Sequence, residues 1–215
     1  MNLALFDFDG TITFADSFRP FLFIAIDPVR RAIGRVALIP IIIGYQLGLI
    51  SASKTRASIV AFGFRGRREA DVRQAGAKYA HDVLPGTIRK KALERIKWHQ
   101  AQGDVVVVVS AALDVYLVEW CRLMELGVIC TELESTQGVL TGSYRNGDCV
   151  REEKTRRIRA QYRLEDYETI YAYGDTSEDA EMLSLANRRF FRWEEITGQV
   201  PRGRKADHVD QDPNR

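Results

Sequence analysis

Hydrophobic and polar positions along the chain follow two alternating rhythms. Residues 3–8 form a short, nearly continuous apolar run, the pattern of a strand covered on both faces. The run ends in Asp7-Phe8-Asp9-Gly10-Thr11, where Gly10 permits a sharp turn. Over 16–84 the pattern is helical and no strong strand run appears. A boundary at Asp82-Val83-Leu84-Pro85-Gly86 precedes a helix predicted over 87–102, with Ile88, Ala92, Leu93 and Ile96 at helical spacing. Five consecutive valines at 105–109 predict a central parallel strand. A helix over 113–126 stopped by Gly127, a short strand at 128–130 and a hairpin over 132–144 turning at Gln137-Gly138 come next. The remaining pattern predicts a basic amphipathic helix over 152–162, a strand over 169–173, a helix over 177–186 and a last strand over 189–192.

Strands alternating with helices imply an α/β fold, a Rossmann-like parallel sheet with helices on both faces. The helical stretch interrupts that alternation after the first strand and reads as an insertion. The expected division is an α/β core from 1–15 and 84–198, a helical cap over 16–83, and a polar tail over 199–215.

Composition narrows the classes. The chain has 215 residues, 46% apolar and 28% charged, which excludes a disordered chain and suffices for a core without disulfide or metal staples. A net charge of +2 argues against a nucleic-acid partner. Cys121, Cys130 and Cys149 lack metal-ligand spacing and fit a reducing cytoplasm, and no basic leader precedes the first strand.

One stretch departs from this ordinary picture. Residues 36–53 carry no charge, at the short end of what spans ~30 Å of hydrocarbon. Pro40, Gly44, Gln46 and Gly48 disfavour a spanning helix. Arg30, Arg31 and Arg35 precede the stretch and Lys54 and Arg56 follow it. Between 30 and 73 there are nine Lys or Arg against Glu69 and Asp71 alone. Two readings stay open: Ile41, Ile42, Ile43 and Leu47 pack inside the insertion, or the segment makes peripheral contact with an anionic membrane surface at the cytoplasmic face.

Ligands in open parallel sheets bind outside the carboxyl ends of the strands. Asp7, Asp9, Ser110 and Asp175 all fall there, and Lys154 near the start of its helix can reach the same rim. Clustered carboxylates without His or Cys point to a hard cation, with Mg²⁺ the usual choice beside phosphate. Taken singly, each Asp is an ordinary turn or cap residue; their convergence on one rim is what points to chemistry.

Asp7-Phe8-Asp9-Gly10-Thr11-Ile12-Thr13 resembles the first motif of the haloacid dehalogenase-like phosphatase superfamily. Val107-Val108-Val109-Ser110 is similar to its second motif, Lys154 to its third, and Gly174-Asp175-Thr176-Ser177-Glu178-Asp179 to its fourth. The resemblance implies that Asp7 is the nucleophile and Asp9 the general acid and base. It implies that Thr11, Ser110 and Ala111 hold phosphoryl oxygens with Lys154. It further implies that Asp7, Asp9 and Asp175 hold Mg²⁺, with Asp179 and Glu178 behind them. An all-helical insertion at this point resembles the cap of subclass I, as in phosphoserine phosphatase, and places Arg56 and Asp16 at the substrate. Asp16 also reads as the N-cap of the next helix, and both readings stand. Glu178 stands where phosphoserine phosphatase-like chains often carry Asn.

The segments Glu132-Leu133-Glu134, 138–142, Asn146-Gly147-Asp148-Cys149 and Glu152-Glu153-Lys154-Thr155 resemble subclass IB hydrolases of the phosphatidylglycerophosphatase C-like branch. The implied activity is hydrolysis of a phosphate monoester through an aspartyl-phosphate, with a phospholipid phosphate as substrate. A soluble small-metabolite phosphatase is the alternative. A signalling receiver domain and a non-catalytic lipid-binding module are the other classes weighed. The first is disfavoured by the insertion, the second because every motif position is occupied.

Overall fold

The computed structural model describes residues 1–198 and 200. A six-stranded sheet runs in the order β3-β2-β1-β6-β7-β8, built from β1 (Leu3–Phe6), β2 (Val105–Leu113), β3 (Gly127–Thr131), β6 (Ile170–Gly174), β7 (Arg188–Phe191) and β8 (Glu194–Ile196). All neighbours are parallel except β7 and β8. A separate hairpin, β4 (Leu133–Thr136) and β5 (Val139–Tyr144), turns through Gln137 and Gly138 with φ of 51° and 77°, as its sequence predicts.

β1 is central because both its faces are apolar. Ala4 and Phe6 enter one core cluster, Leu3 and Leu5 the other, and all four are fully buried. Its register sets Phe6 beside Val108 on one side and Tyr173 on the other. Asp7 after β1, Asp175 after β6 and Ser110 within β2, beyond its pairing with β1, therefore emerge on one edge of the sheet.

Between β1 and β2 stand α1 (Phe18–Ala25), α2 (Pro28–Ala37), α3 (Ile39–Gln46), α4 (Ala52–Phe64) and α5 (Glu69–Asp82). The later helices are α6 (Lys90–Ala101), α7 (Asp114–Leu123), α8 (Glu152–Gln161) and α9 (Ala180–Ser184). The apolar stretch from 36 to 53 is divided among α2, α3 and the start of α4, with a joint at Leu38. No helix among the described residues is long and apolar enough to cross a membrane. Interior packing, one of the two readings above, does not hold for Ile42, Ile43 and Leu47. They are 39%, 48% and 68% exposed, whereas Ile41 is half-buried.

Two features differ from the sequence expectation. β2 continues through Ser110 to Leu113, because Leu113 regains a partner in Thr131 after the ladder shifts. The short antiparallel β8 was not predicted. The expected tail over 199–215 lies outside the described residues, Val200 apart.

α5 lies against α7 at Gly76, where a Cβ would sit 2.0 Å from the Val115 carbonyl oxygen. That atom is backbone and cannot swing aside. Gly76→Ala is therefore expected to lose about 2–4 kcal/mol of stability, despite the better helix propensity of Ala. Gly86→Ala, with nothing within 4 Å, should stay within ~0.5 kcal/mol, and urea unfolding of the two variants beside wild type measures both.

Candidate active site

Asp7 leaves β1 with its N–H donating to Tyr173 O at 2.9 Å, which fixes the residue at the carboxyl edge of the sheet. The chain then winds through one tight turn at Phe8–Ile12, with Gly10 at φ 84°. A Cβ on Gly10 would lie 2.2 Å from Asp175 Oδ2, so both the backbone angle and the space demand glycine. This close approach brings the ends of β1 and β6 together. Thr11 Oγ1 donates to Asp175 Oδ1 at 3.3 Å.

Lys154 enters from the first turn of α8. Its ammonium donates to Asp7 Oδ1 and to Asp179 Oδ1, each at 2.6 Å, with its side chain only 3% exposed. Asp179 uses its other oxygen to accept from the N–H groups of Asp175 and Thr176, at 3.2 and 3.1 Å. One buried carboxylate thus both orders the loop after β6 and holds the lysine.

Charge in this cluster is unbalanced. Oxygens of Asp7, Asp175 and Asp179 lie within 4.8 Å of one another, and one ammonium faces them. Burial, then the Asp179 charge, raise Asp7 well above the ordinary carboxyl value, with Lys154 opposing. The same two causes lift Asp175 to about 7. Burial opposes the charge on Lys154, but Asp179 and Asp7 outweigh it and hold the ammonium well above its usual pKa. A compact all-oxygen donor set with surplus negative charge fits a hard divalent cation.

Asp9 lies outside this carboxylate cluster. Its Oδ1 accepts from Ser17 N at 2.9 Å, and burial with the Asp16 charge lifts its pKa to about 7. Asp16 serves the start of α1. Its carboxylate accepts from Phe18 N at 3.3 Å and Arg19 N at 3.1 Å, capping α1, and it also lines the cleft.

A cleft of roughly 160 Å³ opens over this edge, and its lining includes Asp7, Asp9, Asp16, Arg56, Ser110, Ala111, Lys154, Glu178 and Asp179. Thr11 and Asp175 sit behind the wall, joined to each other. Ser110 is buried and its Oγ accepts from Ala112 N at 3.2 Å. Arg56 reaches from α4 and donates to Asp148 Oδ2 at 2.9 and 3.2 Å, with Glu178 Oε2 3.8 Å away. Asp148 also accepts from Thr131 Oγ1. Asp148 and Phe18 were not expected at the site. The turn-forming Asn146-Gly147-Asp148 is the one signal that could have marked the former. Cys149 is fully buried, and burial pushes its thiol to about 11, which leaves it protonated at neutral pH.

A family model described as haloacid dehalogenase-like hydrolase matches residues 4–184. Protein CicA of Caulobacter vibrioides is 31% identical over 192 residues, which cover 88% of this chain and 85% of CicA. A Bordetella pertussis protein of unknown function is similar in structure with TM-score 0.73 and 21% identity, covering 88% of this chain and 89% of that one. A phosphoserine phosphatase solved as a phospho-aspartyl intermediate analogue has TM-score 0.60 and 22% identity, covering 88% and 85%.

Proposed function

This chain belongs to the haloacid dehalogenase-like hydrolases, and from that premise we propose that it hydrolyses phosphate monoesters through an aspartyl-phosphate on Asp7. The observation that carries the reading is the setting of Asp7: buried at the end of β1, facing the cleft, 2.6 Å from Lys154 and beside two further carboxylates. A carboxylate nucleophile must approach an anionic phosphate, so the site has to supply positive charge at that point.

The chain's residues divide that work. Lys154 lies against Asp7 Oδ1, where it offsets charge on the incoming phosphoryl group. Ser110 and Ala111 line the same wall, and in this reading they hold the phosphoryl oxygens. Asp7 attacks phosphorus and the ester oxygen leaves. Asp9, with a pKa of about 7, is partly protonated at neutral pH and donates the proton to that oxygen. It then takes a proton from the water that opens the acyl phosphate. Asp7, Asp175 and the Asp9 carbonyl, with Asp179 and Glu178 behind, would hold Mg²⁺, which would supply charge neutralisation there. Helices α1 to α5 form a cap over the core, with Asp16 and Arg56 facing the leaving group.

For the leaving group we take a phospholipid, such as phosphatidylglycerophosphate, in keeping with the resemblance to the subclass IB branch. The pairing of Arg56 with Asp148 and Glu178 supports a substrate without a free carboxylate beside the phosphate. The test is phosphate release from phosphatidylglycerophosphate in mixed micelles, phosphoserine and small sugar phosphates, each with Mg²⁺ and with EDTA. Release that needs Mg²⁺ and favours the lipid is expected. Turnover of soluble esters alone removes the lipid assignment, and no release from any ester removes the phosphatase reading.

A further inference from the structure

We propose that the outward face of α2 and α3 docks the protein onto the surface of an anionic lipid bilayer. Among the described residues, fifteen large apolar side chains are exposed, and ten of them fall between Phe23 and Leu49. Such crowding on one segment is unlike the scattered apolar exposure normal for a water-facing surface.

The exposed positions are ordered. Val29, Ile33 and Val36 recur at i, i+4 and i+7 along α2, and Ile39 and Ile43 along α3, with Leu47 at its C-cap, at i, i+4 and i+8, so each set shares a helix face. The opposite faces are already occupied. Gly34 packs against the Phe62 ring and Gly44 against Ile50, and both helices lie on α4. The apolar face is thus surplus to the protein's own core. At eight residues α3 is about 12 Å long, far below the ~30 Å of a hydrocarbon core, so the pair can lie in the interface but cannot span it.

Charge selects the occupant. From 28 to 68 the chain has eight Lys or Arg and no Asp or Glu. Arg56 pairs with Asp148 and Arg67 with Asp27, but Arg31, Arg35 and Lys54 form no ion pair among the described residues. An apolar face edged by cations without a carboxylate partner complements a surface that is apolar beneath and anionic above. The same helices sit near the cleft, since α4 carries Arg56 into it. The proposal deepens the phosphatase reading by naming where its substrate is met, but binding is measured without turnover.

The test is co-sedimentation of the full chain with vesicles of phosphatidylcholine alone or with about a third phosphatidylglycerol, at low and high salt. Wild type is expected to partition about tenfold more strongly onto the anionic vesicles and to lose that advantage in high salt. Ile33→Asp with Ile43→Asp should lower binding at least about tenfold. Arg35→Glu with Lys54→Glu should lower it on anionic vesicles only. All four positions are exposed, so both variants should keep their circular dichroism and their hydrolysis of a soluble phosphate ester. Wild type that stays unbound at low salt overturns the proposal, as does an apolar variant that binds like wild type. A dimer in sedimentation equilibrium that the apolar variant dissolves, with no vesicle binding, assigns the face to a second copy instead.

Discussion

Asp7→Asn is expected to lower kcat by on the order of 10⁴-fold or more while leaving the protein at least as stable as wild type. The two outcomes have one cause. The amide is nearly isosteric and its oxygen can still accept from Lys154, so the contact at 2.6 Å has a successor. It cannot form an acyl phosphate of its own, and activity falls to whatever the charged cleft provides. Asp7 sits well above the ordinary carboxyl value because burial and Asp179 disfavour its charge. A group raised in this way costs stability once pH passes its unfolded value, and the neutral amide removes that cost. Lys154 keeps Asp179 as a full partner at 2.6 Å and is not left unpaired. Phosphate release with Mg²⁺ and thermal unfolding in EDTA, both at pH 7.5, read the two sides. Activity within tenfold of wild type would remove Asp7 from the chemistry.

Much of this was legible in the sequence because the central strands are local statements. Val105 to Val109 cannot be anything but a buried strand in a chain with helices on either side, and Gly103 and Gly127 punctuate it. The rim positions Asp7, Ser110 and Asp175 follow once those strands are placed, because parallel strands deliver their ends to one edge. The hairpin at Gln137-Gly138 is equally local.

What was not legible depends on partners far away in the chain. Ser110-Ala111-Ala112 has no strand signature, and β2 extends through it only because Leu113 pairs with Thr131. Glu194-Glu195-Ile196 is too polar to announce β8, which exists as an edge on β7. The pairing of Arg56 with Asp148 joins residues 92 apart. Exposure is the hardest property of all to read. Ile39 and Ile43 look like core by composition, and only the packing of Gly34 and Gly44 on the inner side shows that the apolar residues face out.

Lys154→Met gives the second large effect, and here activity and stability fall together. The ammonium is the only cation within ion-pair distance of Asp7 and Asp179 among the described residues. Its removal takes positive charge from the phosphoryl position, which should cost ~10²–10³-fold in kcat. It also leaves two buried carboxylates facing each other, and losing one member of a buried charge cluster costs about 3–5 kcal/mol. That loss should depend on pH in a definite direction. Lys154 is the lowering influence on Asp7, so without it Asp7, already raised, rises further. A carboxyl whose folded pKa exceeds its unfolded pKa binds more protons when folded, and stability therefore falls as pH rises between the two values. The gap between variant and wild type should be small near pH 5, where Asp7 can take a proton, and wider at pH 8. Urea unfolding in EDTA across that range measures it. A gap that stays constant with pH would mean that Lys154 contributes through packing of its stem, and the electrostatic account of the site would lose its centre.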